Sequence, residues 1–176
     1  MTATISDGAD SLFGKQVDLF VITGYSGAGK SEAIAAFEDS GYFCVDNLPP
    51  RLIAALGELF VHQGSRVRRA AVVTDVRGGD YFAELLAVLD ELDQEGLDPT
   101  VLFLEADEET LVDRFKETRR RHPLAPEGRV VDGIRAERQV LGALREHADV
   151  VMDTSDLTGA MLRRRIATDL LGPRSE

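Results

Sequence analysis

The hydrophobic positions of this chain form short continuous runs that alternate with longer segments of helical period. The runs are rich in β-branched residues and cover residues 17–23, 42–45, 70–74, 101–104 and 150–152. Continuous apolar runs, in contrast to alternating ones, are typical of strands that are buried on both faces of a parallel sheet. The pattern therefore predicts an α/β fold with about five parallel strands and helices on both faces.

Segments of helical period lie between and after these runs. They cover residues 30–40, 50–63, 80–95, 108–121, 134–147 and 157–171. Four of them are followed directly by a glycine, which commonly terminates a helix, and Pro50 stands where a first helical turn begins. Residues 122–133 contain two prolines and two glycines, so we expect a mobile lid there. The domain is predicted to span residues 17–172, after a disordered leader over residues 1–16.

Composition and charge narrow the class of protein. The chain has 176 residues, of which 44% are hydrophobic and 29% charged, a balance typical of one globular domain and unlike disordered or fibrous chains. With a single cysteine and no apolar run near the roughly 18 residues of a membrane helix, we expect a cytoplasmic protein without a membrane partner. The net charge of −11 disfavours broad nucleic-acid binding, so any bound phosphate needs a local site.

A glycine-rich loop, residues 24–31, follows the first predicted strand and precedes the first helix. It matches G-x-x-x-x-G-K-[ST] at every fixed position. Its glycines let consecutive N–H groups point at phosphate oxygens, its lysine reaches the outer phosphates, and its final serine offers a hydroxyl to Mg²⁺. This phosphate loop predicts a binding site for ATP or GTP with Mg²⁺, formed by Gly24, Tyr25, Ser26, Gly27, Ala28, Gly29, Lys30 and Ser31.

Two acidic residues follow predicted strands. Asp75 ends the run at 70–74, and Asp46 ends the run at 42–45. In an open α/β sheet both would face the crevice at the carboxyl ends of the strands, where ligands bind. The candidate Mg²⁺ ligands are therefore Ser31, Asp75 and Asp46, with one acid serving the metal and the other an acceptor or a water. Capping of the next helix is the alternative role of Asp75.

Three consecutive arginines, Arg119, Arg120 and Arg121, end a predicted helix where the lid begins. A planar guanidinium binds phosphate oxygens through paired hydrogen bonds, so closure of a lid arginine on the γ-phosphate is one interpretation. Favourable interaction with the helix dipole is the other. Together with Lys30 and Asp75, these arginines are the candidate catalytic residues.

Several strings in the chain carry a family resemblance: the phosphate loop, C-V-D-N-L-P at 44–49, D-V-R at 75–77, E-T-R-R-R-H-P-L at 117–124 and D-T-S at 153–155. From residue 19 to residue 171 the chain resembles the bacterial RapZ/YvcJ family of nucleotide-binding proteins. The resemblance implies an adenylate-kinase-like P-loop fold and slow hydrolysis of ATP and GTP. It places ATP contacts on residues 24–31 and GTP contacts on Asp75, Val76, Arg77 and Gly78.

The resemblance also implies partners. Some members of the family act as RNase adapters that present a small regulatory RNA, and they continue into a C-terminal domain linked to RNA and metabolite binding. A chain that ends at Glu176 is then expected to be the nucleotide-binding domain with that C-terminal domain absent.

Three functions compete at this point. The first is a nucleotide-dependent regulator with slow NTP hydrolysis. The second is a small-molecule or nucleotide kinase that transfers the γ-phosphoryl group, with Asp46 placed for an acceptor hydroxyl. The third, RNA binding through the arginine clusters, conflicts with the net charge and with the absence of tryptophan.

Overall fold

The computed structural model describes residues 17–62, 65–76 and 79–172, and a parallel sheet lies at its centre. The strands are β1 (Asp18–Gly24), β2 (Phe43–Val45), β3 (Arg69–Val73), β4 (Thr100–Glu105) and β5 (Val150–Asp153). Their order is β2-β3-β1-β4-β5, so the sheet extends from β1 towards both edges. The predicted α/β fold with five parallel strands is confirmed.

The central strands form the core. Val21 and Ile22 in β1 and Leu102 in β4 have almost no exposed surface. This burial explains why the apolar runs are continuous, since side chains on both faces of these strands pack against other residues. Each such side chain stabilises the fold by about 1.5–3 kcal/mol relative to exposure.

The helices are α1 (Lys30–Asp39), α2 (Pro50–Val61), α3 (Gly79–Gln94), α4 (Glu108–Thr118), α5 (Val130–His147) and α6 (Gly159–Ile166). After α6 the chain continues as a π-helical segment, Ala167–Leu171. The helices pack in pairs, α1 with α6, α2 with α3 and α4 with α5. Within the described part of the chain, no helix has both the length and the apolarity to cross a bilayer.

The helix boundaries on either side of the predicted lid differ from those predicted. Helix α4 ends at Thr118 because Arg119 adopts a left-handed conformation with φ of 53°. Helix α5 begins at Val130 and not near residue 134, so Gly133 lies inside a helix. Residues 119–129 form the connecting segment between the two helices. The last helix also begins later than predicted, at Gly159, because the Thr158 side chain accepts a hydrogen bond from Met161 N–H and caps it.

The sheet order brings two loops together at one edge. β1 and β3 are adjacent, and Ile22 pairs with Val73 near their carboxyl ends. The chain leaves β1 through the phosphate loop and leaves β3 through Asp75. Because parallel strands end at the same edge of a sheet, these two predicted features lie side by side.

Candidate phosphate-binding site

The phosphate loop curls because three of its residues have left-handed backbone conformations. Gly24, Gly27 and Gly29 have φ values of 145°, 84° and 113°. Residues with side chains rarely adopt this conformation. A Cβ at Gly24 would also collide with the Leu104 carbonyl of the neighbouring strand. The loop therefore needs glycine for its shape and for close packing on β4.

The N–H groups of the loop divide into two sets. Tyr25 N–H donates to the Leu104 carbonyl at 3.1 Å, and Ala28 N–H donates to the Tyr25 carbonyl at 3.0 Å. Ser26 N–H donates to Glu137 at 2.7 Å. Among the described residues, no acceptor pairs with the N–H groups of the second set, which belong to Gly27, Gly29, Lys30 and Ser31.

The start of α1 also remains without a side-chain cap. The residue before it is Gly29, which has no side chain, whereas Asp107 caps α4 by accepting from Thr110 N–H at 2.7 Å. Uncapped N–H groups and the positive end of the helix dipole favour an anion at this point. The local backbone therefore suits phosphate oxygens.

The Lys30 ammonium lies across the loop. Its Nζ donates to the carbonyls of Gly24 at 3.1 Å and Tyr25 at 3.2 Å. It also lies 3.4 Å from Oδ1 of Asp75, in an ion pair at the carboxyl end of β3. The structure thus brings the predicted loop lysine and the predicted strand-end acid into direct contact.

A cavity of about 520 Å³ opens beside the loop. Its wall contains the loop from Ser26 to Ser31, Asp75 and two of the three predicted arginines, Arg120 and Arg121. Four basic side chains therefore border one cavity, namely Lys30, Arg114 of α4, Arg120 and Arg121. Three acidic side chains, Glu32, Asp75 and Glu117, border the cavity as well, so its lining is slightly positive within an acidic protein, which favours an anion there.

Three predicted site residues, Arg119, Asp46 and Val76, are not among the described residues that line this cavity. Arg119 is exposed and is not among the residues that line the cavity. Asp46 is exposed after β2, and β3 separates that strand from β1. Val76 is buried. Arg77 and Gly78 fall outside the described residues.

Two residues that support the loop were not predicted as site residues. Arg114 Nη1 donates to the Gly27 carbonyl and to Thr154 Oγ1, both at 3.0 Å. Thr154 Oγ1 donates to the Ala28 carbonyl at 2.6 Å. Thr154 lies in the D-T-S string, one of the strings that carry the family resemblance, so the sequence held a signal for it. Nothing in the sequence distinguished Arg114 from other arginines in predicted helices.

Glu137 and His122 were also missed. Glu137 in α5 is only 4% exposed, and His122 of the connecting segment is fully buried. Burial lowers the pKa of His122, and the Lys30 charge lowers it further, while Glu137 acts in the opposite direction. His122 is thus placed in the interior, so the start of the predicted lid is anchored.

The fold is that of the P-loop kinases. The chain is similar to shikimate kinase from Acinetobacter baumannii in complex with shikimate, with a TM-score of 0.61 and 17% identity over 92% of this chain and 97% of that one. It is also similar to a gluconokinase from Sinorhizobium meliloti 1021, with a TM-score of 0.52 and 19% identity over 85% and 89% of the two chains. At these identities the likeness concerns the fold alone.

The chain belongs to the RapZ-like N-terminal domain family, whose model matches residues 17–174. It is 52% identical over 156 residues to a nucleotide-binding protein of Desulfitobacterium hafniense (strain DSM 10664 / DCB-2), covering 89% of this chain and 52% of that protein. It is 49% identical over 159 residues to a nucleotide-binding protein of Parafrankia sp. (strain EAN1pec), covering 90% and 55%. The chain therefore spans about half the length of these curated relatives, and the inferred family resemblance is confirmed.

Proposed function

We propose that this chain binds ATP or GTP together with Mg²⁺ at the phosphate loop, hydrolyses the nucleotide slowly and acts as a nucleotide-dependent regulator. The observation that carries the proposal is the set of four loop N–H groups, at Gly27, Gly29, Lys30 and Ser31, that have no acceptor among the described residues. Buried or partly buried N–H groups are normally paired. Phosphate oxygens are the acceptors that a loop of this shape fits.

The residues at the loop also fit Mg²⁺. The described residues contain no group of three or more His, Cys, Asp or Glu side chains that could hold a metal ion by themselves. Mg²⁺ bound to a nucleotide commonly takes only one or two protein ligands and otherwise uses phosphates and water. The exposed Ser31 hydroxyl and the Asp75 carboxylate would supply those ligands, and Mg²⁺ would neutralise charge that develops on the phosphates.

The protein's own groups have separate roles in this proposal. Lys30, which now contacts two carbonyls and Asp75, would exchange part of these contacts for phosphate oxygens. Arg120 and Arg121 border the same cavity and would bind the γ-phosphate through their guanidinium groups. An arginine that binds only the third phosphate makes the connecting segment respond to the nucleotide state, which is what a regulator needs.

Two further observations support this proposal: the curated relatives are named nucleotide-binding proteins, and the chain resembles the RapZ/YvcJ family. From the family resemblance alone we further propose a small regulatory RNA or an RNase as the partner that responds to the nucleotide state. Among the proposed GTP contacts, Asp75 lies 3.4 Å from Lys30 Nζ.

The test is nucleotide turnover by purified protein, with free phosphate and phosphate transferred to added acceptors measured separately. Lys30→Ala and Ser31→Ala are expected to abolish hydrolysis and to leave the circular dichroism spectrum unchanged, because both side chains lie at the cavity. Lys116→Ala is the matched control, since that lysine is exposed on α4. Unchanged turnover in folded Lys30→Ala protein would overturn the assignment.

The same assay separates the roles of the two acids and the competing functions. Asp75→Asn is expected to raise the Mg²⁺ requirement more than Asp46→Asn, because Asp75 lines the cavity. The opposite order would exchange their roles. Phosphate recovered mainly on an acceptor, with little free phosphate, would identify a kinase and contradict the regulator.

A further inference from the structure

The third residue of the phosphate loop is held from outside the loop. Both side-chain oxygens of Glu137 accept hydrogen bonds from Ser26, Oε1 from the backbone N–H and Oε2 from the hydroxyl, each at 2.7 Å. Hydrogen bonds to a charged acceptor are about twice as strong as neutral ones. We propose that Glu137 is a positioning residue that keeps the phosphate loop in its binding shape and connects it to the segment carrying the cavity arginines.

Glu137 does not compete with the phosphates for donors. It takes one N–H group, that of Ser26, and the four N–H groups assigned to phosphate lie further along the loop. A carboxylate at Ser26 therefore occupies the part of the loop that phosphate does not need. Because this contact orders the loop before the ligand arrives, the loop loses less conformational entropy when the ligand binds.

Arg138, the residue after Glu137 in α5, contacts Tyr25, the residue before Ser26 in the loop. The Arg138 guanidinium lies 5.0 Å from the centroid of the Tyr25 ring, and its Nη2 donates to the Ala106 carbonyl at 2.5 Å. Two consecutive residues of α5 thus contact two consecutive residues at the start of the loop. A rigid helix with two such contacts restrains both the position and the direction of the chain that leaves β1.

The connection to the arginine segment runs through His122. Leu124 N–H donates to His122 Nδ1 at 3.1 Å, so Nδ1 carries no proton and the neutral ring has its proton on Nε2. That Nε2 lies 3.5 Å from Glu137 Oε1 and, in the described part of the structure, has no hydrogen-bond partner. Ser26 N and His122 Nε2 therefore both lie close to the same oxygen, Oε1 of Glu137.

This shared oxygen couples the two segments. A shift of a few tenths of an ångström brings His122 Nε2 within hydrogen-bond distance of Glu137, which alters how strongly that oxygen holds Ser26. Arg121, directly before His122, lines the cavity. Movement of the connecting segment towards a bound γ-phosphate is thereby transmitted to the loop, a step that rests on the proposed function.

The test compares Glu137→Met with Glu137→Gln, and uses Glu146→Gln as the matched control because Glu146 is an exposed residue of the same helix. The first readout is hydrogen exchange of residues 24–31 in nucleotide-free protein. Glu137→Met removes both acceptors and is expected to accelerate exchange in the loop, whereas Glu137→Gln keeps one oxygen for Ser26 N–H and is expected to restore much of the protection. The control is expected to match the unmodified protein.

The second readout is the affinity for Mg²⁺-triphosphate, with unfolding by urea measured in parallel. Glu137→Met is expected to weaken binding about tenfold or more, the range of a lost hydrogen bond to a charged group, with a smaller loss in Glu137→Gln. Removing this buried carboxylate leaves the Ser26 donors without an acceptor and is expected to lower stability, so affinity is compared only under conditions in which the urea curves show every variant to be fully folded.

The outcomes separate this inference from the proposed function. If Lys30→Ala abolishes nucleotide binding while Glu137→Met leaves both loop exchange and affinity unchanged, only the role of Glu137 is overturned. If neither the unmodified protein nor any variant binds nucleotide, the proposed function fails, and the exchange of the nucleotide-free loop still tests the positioning role. Uniform acceleration of exchange throughout the protein would mean that Glu137 only stabilises the core, and would overturn the inference.

Discussion

Gly133 offers a test of how the connecting segment is anchored, because two physical effects of its replacement have opposite signs. A Cβ built at Gly133 would lie 2.5 Å from both Cγ and Nδ1 of the His122 ring and 2.8 Å from its Cβ. Carbon atoms in favourable contact are about 3.5–4.0 Å apart, so the ring must move by about 1 Å. His122 is fully buried, and its Nδ1 is held by Leu124 N–H, so this movement disturbs its packing.

The expected change in stability follows from these two effects. Adding a methyl group to a packed interior typically costs 1–3 kcal/mol, whereas replacing glycine by alanine inside a helix gains at most about 1 kcal/mol. We therefore expect Gly133→Ala to lower the free energy of unfolding by about 1–2 kcal/mol. For a chain of this size that corresponds to a decrease in Tm of roughly 2–8 °C.

Gly142→Ala is the matched control. Gly142 lies in the same helix, and a Cβ there would meet nothing within 4 Å. Both replacements reduce the freedom of the unfolded chain equally, so their difference reports the contact with His122. Urea unfolding followed by far-UV circular dichroism is expected to show Gly142→Ala more stable than the unmodified protein and Gly133→Ala less stable. Equal stabilisation by both replacements would refute the reasoning.

Two further predictions concern ionisable side chains. Burial lowers the pKa of His122 below its ordinary value of about 6.5, and Glu137 and Lys30 are the charged groups near the ring. The folded state therefore binds fewer protons than the unfolded state. The stability that this difference gives is complete above about pH 6.5 and is lost as the pH falls towards the lower pKa of the folded state. When the free energy of unfolding in urea is measured as a function of pH, it should decrease less steeply below about pH 6.5 in His122→Phe than in the unmodified protein. An equally steep decrease in both proteins would contradict the role of His122. Burial, aided by the charge of Glu38, raises the pKa of Cys44 to about 11. Its alkylation by iodoacetamide should be slow near neutral pH and should still accelerate well above about 8.5, the pKa of a free cysteine; a rate that levels off there would contradict this.

The fold class and the phosphate loop were predictable because their signals are local. The loop is formed by eight consecutive residues, and its shape follows from glycines that adopt positive φ within it. The strands were recognisable because burial on both faces requires apolar side chains at every position. In both cases the residues that carry the signal are near neighbours along the chain.

The boundaries around the connecting segment were not predictable in the same way. Gly133 resembled a loop glycine, yet it lies inside α5 because the absence of a Cβ makes room for the His122 ring. A glycine needed for packing and a glycine needed for backbone freedom look identical in a sequence. Only the position of His122 in the folded chain distinguishes them.

The residues that hold the loop were decided by tertiary structure alone. Ser26 is 111 positions from Glu137, Gly27 is 87 positions from Arg114, and Ala28 is 126 positions from Thr154. These contacts exist because the sheet order places β4 and β5 on one side of β1 and packs α4 against α5. The same order inserts β3 between β2 and β1, which separates Asp46 from the loop and brings Asp75 to it. The sequence determined which local segments form and which chemistry each carries, whereas the order of the strands decided which of those segments meet, since that order depends on packing across the whole chain.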